Sequence, residues 1–254
     1  MALTARQSIE VFHLVFLRAL AAKGEDKALF ALKGGSNLRF FFGSVRYSED
    51  IDVDVSVVSK GTLKNKVDRL LVAPTIVGPL KAHSIEVVDV SAPKQTDTTQ
   101  RWKVGLRAGG VSVPLRTKIE FSRRKSLSET AFEAVDREVL LPYGLTPFLT
   151  THYGLAGAIL QKIHALSARS EPQARDVFDL NHLLAKRDSA KLKLSVEQKR
   201  WLSNAIDHGM GISFDDYSSQ VMAFLEPSQR ELFEGRASWD AMQTAVMERL
   251  EGLR

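Results

Sequence analysis

Two glycines with a following serine, Gly34-Gly35-Ser36, and two aspartates separated by a single residue, Asp50-Ile51-Asp52, are the residues whose types and spacing point to chemistry. Paired glycines placed after a strand and before a helix let backbone N–H groups approach a phosphate, and the helix start adds partial positive charge. Ser36 can donate one more hydrogen bond. The same sequence also suits a plain turn. On a strand, residues two apart face the same way, so the carboxylates of Asp50 and Asp52 stand side by side and repel unless a cation lies between them. A hard divalent ion, Mg²⁺ or Mn²⁺, held by such carboxylates and by substrate phosphates, is the usual equipment of phosphoryl and nucleotidyl transfer. An isolated Asp-x-Asp also fits a solvent-facing acidic strand face, and Asp54, which continues that face, is read this way.

The elements that must position these groups follow from periodicity. Thr4 with Gln7 forms a capping box opening an amphipathic helix with Ile9, Phe12, Phe16 and Leu20 on one broad face. Ala28 to Leu32 reads as a strand, Asn37 to Phe42 as a short helix and Ile51 to Val57 as a strand. Thr62 to Leu71 suits a helix, and Pro74, Gly78 and Pro79 read as loop punctuation. Three β-rich stretches follow, Ser84 to Val90, Arg101 to Ala108 and Val113 to Ser122, with Gly109 and Gly110 at the hairpin turn between the last two. From Thr150 onward helical periods dominate, in Tyr153 to Ala168, Ala174 to Lys186, Val196 to His208 and Trp239 to Leu250. The break near Leu141 to Pro147 predicts two domains, 1–145 and 146–254, and an α+β fold overall.

Composition narrows the class. The 254 residues include no cysteine, which excludes a disulfide framework and a thiolate zinc site and fits a reducing cytoplasm. Glu10, His13 and Arg18 interrupt the apolar N-terminal run well short of the ~20 residues a membrane span needs, so no membrane partner is expected. The formal charge of +5 favours polyanionic partners. There is no Walker A sequence, no Gly-x-Ser-x-Gly and no His-Glu-x-x-His.

In the second half, Lys162, Ala165 and Arg169 fall on one helical stripe, and Lys162 lines up with Leu155, Ile159 and Leu166. Such a lysine either snorkels or turns inward. Asp176, Asp179 and Leu183 share a face, which also suits a structural pairing of Arg169 or Lys162 with either acid.

The series Gly34-Gly35-Ser36, Arg39, Arg46-Tyr47-Ser48-Glu49-Asp50-Ile51-Asp52 resembles the nucleotidyltransferase signature of the AbiEii toxin family, the toxic half of abortive-infection and type IV toxin–antitoxin systems. Lys162, Ala165, Arg169 and Arg175-Asp176-Val177-Phe178-Asp179-Leu180 resemble that family's downstream motifs. The resemblance spans about Leu32 to Leu184; the first motif is shared with the DNA polymerase β-like superfamily.

It implies a nucleotidyltransferase-fold N-terminal domain with a mixed β-sheet, followed by a mainly helical domain that completes the active-site cleft. It implies a metal-dependent enzyme moving a nucleoside monophosphate from an NTP to RNA, the tRNA 3′ end in particular, in the cytoplasm beside a cognate antitoxin. Gly34, Gly35, Ser36, Arg39, Arg46, Ser48 and Lys162 would bind the nucleotide, and Asp50, Asp52, Lys162, Asp176 and Asp179 would be catalytic. Asp50, Asp52 and Glu120, the third carboxylate usual in the superfamily, would hold the metal. Arg116, Lys118, Arg123, Arg124 and Lys125 could hold the RNA backbone or form a solvated basic face. A phosphate on Ser48 would add charge beside the metal site and switch it off. The alternatives are a small-molecule or protein nucleotidyltransferase, and a non-catalytic RNA-binding module.

Overall fold

The computed structural model describes residues 3–22, 27–186 and 192–254, and the chain divides into two compact units. The first comprises Met1–Gly43 and Tyr47–Tyr153, the second Ser44–Arg46 and Gly154–Arg254.

The first unit is built on a seven-stranded sheet, β1 (Phe30–Lys33), β2 (Asp50–Val55), β3 (Ile85–Gln95), β4 (Thr99–Ala108), β5 (Leu115–Arg123), β6 (Thr130–Ala134) and β7 (Leu149–Tyr153), in the order β3-β4-β5-β2-β1-β7-β6. It is mixed: β2 runs parallel to β5 and antiparallel to β1, and β7 runs parallel to β1. Alternation on β2 sends Ile51, Val53 and Val55 into the core and Asp50, Asp52 and Asp54 to the other face.

Helix α1 (Ala5–Leu20) opens on the expected box, with Thr4 Oγ1 accepting from the Gln7 N–H and Gln7 Oε1 from the Thr4 N–H. It buries more than one face, since every residue from Glu10 to Leu17 is enclosed. The two polar residues in that run are satisfied from far along the chain. Glu10 accepts from Arg39 and from the Tyr143 hydroxyl, and His13 meets Thr117.

Helices α2 (Gly34–Phe42), α3 (Lys60–Leu71), α4 (Pro74–Ala82) and α5 (Arg137–Leu140) complete the unit. The segment expected to be loop at Pro74, Gly78 and Pro79 is instead α4. Pro74 takes the first helical position, where its missing N–H costs nothing, while Ile76 and Leu80 bury against the core. Strands β6 and β7 lie outside the expected elements, because Thr-Ala-Phe-Glu-Ala and Leu-Thr-Thr-His-Tyr carry little apolar alternation.

The second unit is helical: α6 (Leu155–Ala168), α7 (Ala174–Leu184), α8 (Val196–Met210), α9 (Phe214–Gln220), α10 (Pro227–Phe233) and α11 (Arg236–Glu251). Tyr217 stacks on Trp239 with ring centroids 4.6 Å apart at its centre. Among the described residues, no helix is long and apolar enough to cross a membrane.

Candidate active site

The glycine turn and the acidic strand meet within the first unit. Lys33 is extended, and Gly34, the first residue of α2, takes the left-handed region at φ +69°. The cap residue, Lys33, has no side-chain acceptor for the first N–H groups of α2: its ammonium only donates, and it does so to Asp54 Oδ1 at 2.6 Å. Those N–H groups are the anion-binding feature expected of the turn. Asp52 lies opposite Lys33 in the β1–β2 register, and a Cβ built on Gly34 would fall 2.8 Å from Asp52 Oδ2. Only a residue without a side chain lets the acid approach the turn this closely.

Asp50 is held at several points. Its carbonyl accepts from the Ser36 hydroxyl at 2.9 Å and the Ser48 hydroxyl at 2.8 Å. Its carboxylate accepts from the Lys118 N–H at 3.1 Å and lies 2.7 Å from Lys118 Nζ. The carbonyl before it, on Glu49, accepts from the Thr117 hydroxyl at 2.7 Å. Since Thr117 has one hydroxyl proton, its 2.7 Å contact with His13 requires His13 Nε2 to donate. That imidazole is 1% exposed, and burial pushes its pKa down to about 3, so it is neutral.

Ser36 is buried, so its hydroxyl shapes the site through Asp50, while its main-chain N–H remains part of the turn. Arg39, expected at the nucleotide, is committed to Glu10 at 2.7 Å and lies over the Tyr47 ring. Burial alone would lower the Arg39 pKa, but Glu10 outweighs it and the guanidinium is held above its ordinary range.

Asp54 departs from expectation. It is 1% exposed, not solvent-facing, because Lys33, Arg124 and the Tyr153 hydroxyl surround its carboxylate. Glu120 stands beside Asp52 in the β2–β5 register, yet its carboxylate is taken by Arg101 Nε at 2.6 Å. Among the described residues, no group of three His, Asp or Glu side chains stands close enough to hold a metal ion, so the trio Asp50, Asp52 and Glu120 does not form. The donor set that suits a hard divalent ion is the pair Asp50 and Asp52, partly exposed on one face beside an uncapped turn.

In the expected basic stretch, Arg116 pairs with Asp89, Lys118 with Asp50 and Arg124 with Asp54, while Arg123 donates to the Val58 carbonyl and to Gln100. Lys125 is exposed.

The second unit gathers the remaining motif residues into one buried ionic network. Lys162 turns inward, with Nζ 2.9 Å from Asp176 Oδ1 and 2.6 Å from Asp179 Oδ2. Arg46 forks onto Asp179 through Nε at 3.2 Å and a terminal nitrogen at 2.9 Å, and Arg169 pairs with Asp176. Both acids are fully enclosed and Arg46 is only 5% exposed, so these three act on Lys162 and on one another. Burial opposes ionisation of Lys162, yet Asp176 and Asp179 outweigh it and hold the ammonium above its ordinary range. Burial likewise raises Asp179, but Arg46 and Lys162 bring it down to about 2.

No local signal in the sequence assigns a site role to His13, Thr117, Lys33 or Tyr153. The available signal was a lone histidine inside an apolar helical run. Their partners lie up to 104 residues away, as His13 and Thr117 do, and nothing in the sequence gives that register.

A family model described as nucleotidyl transferase AbiEii toxin, type IV TA system, matches residues 15–251. Among solved structures, JHP933 from Helicobacter pylori superposes with a TM-score of 0.61 at 18% identity, over 99% of this chain and 96% of that one. A second H. pylori structure, whose name proposes a nucleotidyltransferase, superposes with a TM-score of 0.59 at 18% identity, over 96% and 95% of the two chains. No curated protein matches the sequence.

Proposed function

Because the chain belongs to the AbiEii family of nucleotidyl transferase toxins of type IV toxin–antitoxin systems, we propose that it moves a nucleoside monophosphate from an NTP to an RNA acceptor, the tRNA 3′ end by preference. The observation that carries this reading is the approach of Asp52 Oδ2 to Gly34, which sets an acidic face directly against an uncapped helix start.

The main-chain N–H groups of Gly35 and Ser36 would receive the β- and γ-phosphates. Asp50 and Asp52 would hold Mg²⁺ or Mn²⁺, which when bound would neutralise phosphate charge and favour attack of the acceptor hydroxyl at the α-phosphorus, with pyrophosphate as the leaving group. Lys118 now neutralises Asp50 and would yield that carboxylate to the ion. Lys162 is proposed as a fixed cation for phosphate charge, with Asp176, Asp179 and Arg46 positioning it and not meeting substrate. The cytoplasm and a cognate antitoxin belong to the same reading.

The test is incubation with each labelled NTP, a divalent ion and total RNA, comparing wild type with Asp52→Ala. Label in tRNA-sized RNA with wild type alone is the expected result. Label on protein would redirect the assignment to protein nucleotidylation, and equal labelling by Asp52→Ala would remove it.

A further inference from the structure

The face of the sheet that carries Asp50 and Asp52 continues outward across β5, β4 and β3, and its cations are matched to carboxylates one by one with two exceptions. The register aligns Ser91, Lys103, Lys118 and Asp50 in one row, and Lys94, Arg101, Glu120, Asp52 and Lys33 in the next. The opposite face holds Trp102, Val104, Ile119 and Phe121 in the core, so these rows face outward. Arg101 pairs with Glu120, Arg107 with Glu86, Arg116 with Asp89 and Lys118 with Asp50. Lys94 and Lys103 are exposed and have no ion-pair partner among the described residues.

Each of the two also lies directly opposite another cation, Lys94 against Arg101 and Lys103 against Lys118. Like charges at opposed positions destabilise a sheet, so folding does not account for them. An anion laid across the strands would turn both repulsions into attractions. Lys103 is one strand beyond Lys118, which itself holds Asp50, so with strands about 4.8 Å apart the row leads from the edge strand to the acidic pair in roughly 15 Å.

We propose that the outer face of β3, β4 and β5 is a track for the phosphodiester backbone of the RNA acceptor, with Lys94 and Lys103 as its backbone contacts. This rests on the transfer reading above. The outward positions of β4 and β5 are Thr99, Arg101, Lys103, Gly105 and Arg107, then Arg116, Lys118, Glu120 and Ser122, with no aromatic or large apolar side chain. A protein partner needs a buried apolar or aromatic anchor, which the outward positions of β4 and β5 lack, whereas a phosphate backbone needs only point charges. Without aromatic platforms the track does not stack bases, so its affinity is insensitive to sequence and steep in salt.

The experiment measures binding of end-labelled total tRNA to the full chain by fluorescence anisotropy, without NTP or divalent ion, across a salt series. Lys94→Gln with Lys103→Gln should weaken binding at least tenfold and flatten the log–log salt slope by about 0.7–0.9 per lysine. Both residues are exposed, and a thermal melt confirms that the variant folds. Unchanged affinity and slope overturn the track, as does wild-type protein that binds polyglutamate as tightly as tRNA. A variant that binds RNA like wild type and still transfers label would leave the transfer reading standing and remove this one. Binding lost in the variant, with no transfer by wild type from any NTP, would support the track and remove the chemistry.

Discussion

Gly34 and Asp52 are joined by an absence: the glycine has no Cβ where one would lie 2.8 Å from the Asp52 carboxylate. Gly43, at the other end of α2, has nearly the same backbone, φ +70° against +69°, but nothing within 4 Å of its Cβ position. Alanine costs about 1–2 kcal/mol of left-handed strain at either position. Gly34→Ala should in addition weaken NTP binding more than tenfold, while Gly43→Ala lowers only the melting temperature. Calorimetric NTP titration beside thermal melts checks the pair, and equal NTP affinity in the two variants would remove the steric argument.

Ser48 and Ser36 share one acceptor, the Asp50 carbonyl. Ser48→Ala therefore leaves that carbonyl satisfied and should cost no more than about 1 kcal/mol, with transfer reduced less than fivefold. Ser48→Glu, standing in for a phosphate, sets a charge against Asp50 and should suppress transfer by at least tenfold. Mass spectrometry after co-expression with a candidate antitoxin tests whether the hydroxyl is modified. Comparable activity in the alanine and glutamate variants would argue against a switch at this position.

Removal of one member of the Arg46–Asp179 pair should be costly. Asp179→Asn leaves Arg46 and Lys162 sharing what remains of the buried charge, and losing one partner of such a pair costs about 3–5 kcal/mol. Asp179 titrates near 2 in the folded protein and near 3.9 when unfolded, so its contribution is complete above about pH 4 and is lost as pH falls toward 2. Denaturant melts of Asp179→Asn, Arg46→Met and the double variant should show a strongly non-additive cycle. Simple additivity would deny the coupling.

His13 predicts a second acid-sensitive window. Its pKa of about 3 in the folded protein lies below the ordinary 6.5, so the unfolded chain binds the extra proton between those values. The stability that neutral His13 allows is complete above about pH 6.5 and declines as pH falls toward 3, by up to about 1.4 kcal/mol per pH unit. His13→Gln retains a donor for Thr117 and should flatten stability across that window. A pH series of chemical melts with the same slope in both proteins would place the sensitivity elsewhere.

How much was legible depends on where each side chain finds its partners. The alternation Asp-Ile-Asp-Val-Asp announces its own strand and face, and the glycines announce the turn, because both signals are local. Asp54 has the same pattern as Asp52 but lies in the interior, since its donors Lys33, Arg124 and Tyr153 come from 21, 70 and 99 residues away. Arg39 has the right type and place for a phosphate, and Glu10 on α1 claims it. Pairing across the sheet brings Lys118 to Asp50 through the parallel β2–β5 register and Arg101 to Glu120 through the antiparallel β4–β5 register, and no short window contains either. The prolines of α4 misled because their position within a helix decides their effect, and the helix start was not evident.

The three residues Ser44–Arg46 belong to the helical unit although the residues on either side of them belong to the first unit. A fragment starting at Gly154 would consequently lack the guanidinium that Asp179 requires. No single cut of the polypeptide can release that half intact, and during synthesis a loop made early must wait for α7, more than a hundred residues later, before its charge is matched.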